Sequence, residues 1–65
     1  MRIVVNGQDK QIDPGLTVRQ LLQQSGLPAD KVAVELNRRL LKTERYDTPL
    51  GENDEIEIVT FVGGG

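Results

Sequence analysis

Apolar residues gather first at Ile3, Val4 and Val5 and return at Ile12, with Asn6-Gly7 in the polar stretch between them. β-branched residues suit a strand, and Asn-Gly supplies the positive-φ positions of a tight hairpin turn. Residues 1–12 therefore read as a β-hairpin. Asp13-Pro14-Gly15 ends it, because proline removes a ladder donor and glycine permits a sharp bend.

The next segment changes period. Val18, Leu21 and Leu22 form one apolar stripe at helical spacing, leaving Arg19, Gln20, Gln23 and Gln24 for water. Thr17 is placed as the N-cap, and Gln20 three residues on completes a capping box, with Leu16 available to staple onto Leu21. At the other end Gly26 fits the left-handed position after the helix, Leu27 can fold back on Leu22, and Pro28 prevents continuation. A helix this short is unstable alone and must be held against a sheet.

Strict alternation follows: Val32, Val34 and Leu36 point one way, Ala33, Glu35 and Asn37 the other. Leu40-Leu41 predicts a very short strand or bend, and Thr43 to Tyr46 a single helical turn capped by Thr43. Residues 51–54 read as a turn. Residues 55–61 read as the last strand, with Ile56 and Ile58 on the core face and Val59 and Phe61 directed away from it. The expected core is Ile3 or Val4, Val5, Ile12, the helix leucines, Val32, Val34, Leu36, Leu50, Ile56 and Ile58. This order predicts an α+β fold with one helix on one face of a small mixed sheet, the first and last strands parallel at its centre. Residues 1–62 form the single expected domain and residues 63–65 a flexible glycine tail.

Composition narrows the chemistry. A 65-residue chain buries only ~60% of the surface its unfolded form exposes. It has neither cysteine nor histidine, so disulfides, thiolate nucleophiles and the commonest acid–base catalyst are all excluded. The expectation is a protein that is not itself an enzyme and holds no metal. Eight basic and ten acidic residues give a net charge of −2, and one Tyr, one Phe and no Trp offer few stacking surfaces for nucleic acid. No apolar run approaches the ~18 residues of a membrane span, and the first residues are too briefly apolar for a signal peptide. A cytoplasmic protein that meets neither nucleic acid nor membrane is expected. Glu52, Asp54, Glu55 and Glu57 read as a solvated strand edge protected by charge, with a basic collar on a partner as the alternative. Arg38-Arg39 reads as the solvent face of a turn.

The remaining candidate chemistry lies at Gly63-Gly64-Gly65. A stretch without side chains can thread a channel that excludes any Cβ; at ~3.3–3.6 Å per residue, residues 62–65 span about 13–14 Å when extended. A terminal carboxylate, with a pKa of about 3.3–3.7, is ionised and a poor electrophile at neutral pH. Attack on the α-phosphate of ATP would turn one oxygen into a leaving group. The chain has no Gly-rich loop followed by Lys-Ser/Thr, so no bound cofactor is expected on it and ATP would belong to a separate activating enzyme. The bland alternative is a linker remnant or frayed end. Val59, Phe61 and Val62 lead into the glycines and form a candidate docking patch for partners.

"MRIVVNG", "TVRQLL", "VAVELN", "YDTPL", "DEIEIV" and the final "FVGGG", in that order across essentially the whole chain, resemble the ThiS family, the sulfur carrier proteins of thiamine biosynthesis. The resemblance implies the β-grasp fold of ubiquitin. It implies that Gly65 is the adenylate and thiocarboxylate acceptor and that Gly63 and Gly64 thread into the partner site. It also implies three partners: a ThiF-like adenylyltransferase related to ubiquitin-activating enzymes, a ThiG-like thiazole synthase that receives the sulfur, and a sulfur donor protein. Carriers for molybdopterin, cysteine or transfer-RNA thiolation, and ubiquitin-like protein modifiers, share such a tail and stand as alternatives.

Overall fold

The structure is a computed structural model that describes residues 1–61. Five strands, β1 (Arg2–Val5), β2 (Gln8–Gln11), β3 (Val32–Leu36), β4 (Arg39–Leu41) and β5 (Glu55–Thr60), form one sheet in the order β2-β1-β5-β3-β4. β5 runs parallel to β1 and antiparallel to β3, and both hairpin partners, β2 and β4, lie at the edges. The expected β-grasp arrangement is present, with β5 at the middle of the sheet.

Local signals account for most of these elements. Asn6 and Gly7 have φ of 50° and 81°, the two positive values that a two-residue hairpin turn matching strand twist requires. The helix α1 (Val18–Gln24) begins with the capping box: Thr17 Oγ1 accepts from the Gln20 N–H at 3.1 Å, and Gln20 Oε1 accepts from the Thr17 N–H at 3.0 Å. It ends in a Schellman motif. Gly26, at φ 72°, donates to the Gln23 carbonyl, and Leu27 donates to that of Leu22 at 2.9 Å.

The core lies between α1 and one sheet face. Ile3, Val34 and Ile56 from the sheet meet Val18, Leu21 and Leu22 from the helix, all essentially without exposure. Ile12, Val32 and Leu50 complete the expected set, while Val5, Leu36 and Ile58 are only half-buried against it. Of the pair Ile3 and Val4, Ile3 is the core residue.

Three expectations need correction. Tyr46 is buried at 2% exposure although the pattern did not place it in the core. Its segment is irregular chain that closes over the start of α1: the Tyr46 carbonyl accepts the otherwise orphaned Arg19 N–H at 2.9 Å, and Leu50 N–H donates to the Leu16 carbonyl at 2.8 Å. The single turn at Thr43–Arg45 is a 3₁₀ helix preceded by Lys42 and has no side-chain cap from Thr43. The acidic run is not a sheet edge either, since β5 is flanked on both sides and Glu55 and Glu57 project from its open face.

Candidate functional site

Among the described residues, no element covers the face of the sheet opposite α1. Alternation along β5 sends Ile56 and Ile58 toward the helix and Glu57 and Val59 the other way, and Phe61, the residue after β5, is exposed in the same phase. Val59, on this central strand, is 61% exposed and Phe61, just past its end, 56%, large values for apolar side chains. Register places Val59 opposite Ala33 and Glu57 opposite Glu35, and Glu35 in turn pairs with Leu40 on β4. Leu40 is 69% exposed, so its side chain adds to the same face. The Phe61 N–H still donates to the Lys31 carbonyl at 2.8 Å, which holds the end of the described chain against the β3 flank.

Leu40 was not among the predicted docking residues. The signal was present: neighbouring residues in a strand face opposite sides, so only one of Leu40 and Leu41 can turn inward. Leu41 does, and packs against the core.

The polar surroundings are organised around the start of β5. Arg2, on β1, donates from Nη2 to Asp9 Oδ1 at 2.9 Å and from Nη1 to Asn53 Oδ1 at 2.8 Å, tying the first hairpin to the turn before β5. Asp9, through its hydrogen bond first and its charge second, raises the Arg2 pKa above its ordinary value. Asn37 grips the start of β5: its N–H donates to the Glu55 carbonyl at 2.7 Å and its Oδ1 accepts the Glu55 N–H at 2.9 Å. Asp54 accepts from Asn37 Nδ2 and from the Gly51 N–H, which fixes the turn itself.

The face thus exposes apolar side chains at Val59 and Phe61 and, across β3, at Leu40, with the carboxylates of Glu35 and Glu57 in the same row as Leu40. Such a surface can bind another protein. Among the described residues, no group of three or more acidic side chains is placed to hold a metal ion. Of the predicted site residues, the structure brings Val59 and Phe61 together on one face. Val62, Gly63, Gly64 and Gly65 lie outside the described residues.

The family model described as the ThiS family matches residues 3–65. The chain belongs to the ThiS family. It is similar over 50 residues to the sulfur carrier protein ThiS of Bacillus subtilis, at 44% identity, covering 75% of this chain and 76% of that protein. The crystal structure of the thiamine biosynthesis protein ThiS from Geobacter metallireducens superposes with a TM-score of 0.80 at 35% identity, over 100% of both chains. A thiazole synthase of Paramagnetospirillum magneticum contains a stretch 36% identical to the whole chain over 66 residues, of which this chain spans 20% of the length. Family membership brings the open face and the glycines that follow it into one context, because the match runs from β1 through Gly65.

Proposed function

We propose that this chain is a sulfur carrier for thiazole formation in thiamine biosynthesis, with Gly65 as the acceptor. A carboxylate oxygen of Gly65 attacks the α-phosphorus of ATP bound by a ThiF-like partner; the α–β anhydride breaks and pyrophosphate leaves. Hydrosulfide released from a donor protein then attacks the acyl carbon, AMP departs with the former carboxylate oxygen, and loss of the sulfur's proton leaves a thiocarboxylate. Thiazole synthase takes the sulfur, so the chain acts as a co-substrate rather than as an enzyme. The cytoplasm, where ATP is available, is the proposed setting.

Each part of this chain has a task in that cycle. The folded body provides a recognisable face at Val59 and Phe61, with Val62 continuing toward the glycines. Gly63 and Gly64 present no Cβ to the walls of a narrow channel, and the cost is the larger ordering entropy of glycine on binding. ATP belongs to the activating partner.

The observation that carries this reading is the continuous family match through residue 65, joined to an exposed apolar patch on the strand that leads there. The stretch of a thiazole synthase that resembles the whole chain supports that enzyme as the recipient. Labelled sulfur loaded onto the protein and offered to thiazole synthase should appear in a thiazole. Label appearing only in a dithiolene, in cysteine or in transfer RNA would assign the carrier to another pathway, and glycine-linked adducts on lysines would assign it to protein modification.

A further inference from the structure

β5 outruns its parallel partner. β1 pairs with it only through Val4 opposite Glu55 and Val5 opposite Ile56, because the chain turns away at Asn6-Gly7. The rungs here include the Val4 N–H to the Asp54 carbonyl at 2.9 Å and the Asn6 N–H to the Ile56 carbonyl at 2.8 Å. A longer β1 would next engage Ile58. Asn6 supplies that rung from its side chain instead: Oδ1 accepts the Ile58 N–H at 2.7 Å, and Nδ2 donates to the Ile58 carbonyl at 3.3 Å. The carboxamide has the same donor and acceptor pair as a peptide group, and two bonds fix rotation as well as distance.

The opposite flank of β5 is held by β3 as far as Thr60, and by the Lys31 carbonyl at Phe61. Without the Asn6 side chain, everything after Ile56 would be gripped from that flank alone. With it, support from both sides reaches Ile58, the residue immediately before Val59.

We propose that Asn6 is a positioning residue for the transfer chemistry. By pinning Ile58 it fixes the direction in which β5 carries the reacting end toward the activating enzyme. The role rests on the carrier reading above, and Asn6 acts through Ile58 without touching a reacting atom. A simpler role for Asn6 is to tolerate positive φ in the hairpin turn, and glycine would serve that role equally well.

Substitution separates the two. Asn6→Gly keeps the turn and deletes the carboxamide; Asn6→Asp keeps the turn and the acceptor for the Ile58 N–H but loses the donor. Adenylation of the full chain by its activating enzyme is followed at varied carrier concentration, well below the unfolding transition, and amide exchange is measured at Ile58. A positioning role predicts that N6G lowers kcat roughly tenfold, inside the ~100-fold that a 1 Å misplacement can cost, with KM little changed. Exchange at Ile58 should accelerate in N6G, with N6D intermediate in both measurements. N6G matching the unmodified protein in kcat would overturn the proposal, whether or not its thermal stability falls. If the unmodified chain is itself not adenylated, the carrier reading fails and takes this role with it; a loss confined to the variants leaves that reading intact.

Discussion

Glu35 and Glu57 stand directly opposite one another across β3 and β5, on the open face of the sheet. Among the described residues neither has a basic side chain in ion-pair range, the pairs present being Arg2–Asp9, Arg19–Asp47 and a long Arg38–Glu55 contact. Like charges at directly opposed positions work against the sheet.

Replacing one of them should therefore stabilise the isolated protein. Glu57→Lys converts repulsion into a cross-strand pair, and a gain of roughly 0.2–1 kcal/mol is expected from urea unfolding at low salt. The gain should shrink as salt screens the pair. An unchanged or lowered midpoint would show that the two carboxylates already avoid each other in solution.

Phe61 should matter to partners and not to the fold. More than half exposed, it contributes little burial, so Phe61→Ala should leave stability within about 0.5 kcal/mol of the original. Loss of an aromatic anchor should weaken binding to the activating enzyme by about tenfold or more. Leu40→Ala should weaken it less, since Leu40 lies across the sheet on β4. Equal affinities for all three proteins would remove this face from the account.

Tyr46 makes the reverse prediction. Its ring is buried, and its backbone carbonyl serves the first turn of α1. Tyr46→Ala should cost about 3–5 kcal/mol by analogy with other buried aromatics, enough to unfold much of so small a domain. Circular dichroism during thermal unfolding measures this directly. A loss below about 1 kcal/mol would mean that the segment at Tyr46 closes over α1 without supporting it.

What was legible in the sequence was local. The Asn6-Gly7 turn, the Thr17–Gln20 capping box and the Gly26 helix stop each depend on residues within a few positions of one another, and each formed as read. Alternation along residues 55–61 correctly separated Ile56 from the outward Val59 and Phe61. Tyr46 was missed because its burial comes from irregular chain folding over a helix start more than twenty residues earlier, where no period marks it. The bonds of Asn6 to Ile58 span 52 residues, so the sequence displayed only its turn chemistry. Leu40 and Leu41 look alike in composition, and only the register against β3 decides which faces out.

The central claim is that the carbonyl carbon of Gly65 carries sulfur, and intact-mass analysis tests it most directly. The protein is incubated with its activating enzyme, ATP and a sulfide source, alongside a variant lacking Gly65. The account predicts a mass increase equal to one oxygen exchanged for sulfur, confined to the C-terminal peptide and absent from the variant. An unaltered mass under conditions where the same enzyme loads another carrier, or an equal increase in the variant, would contradict it.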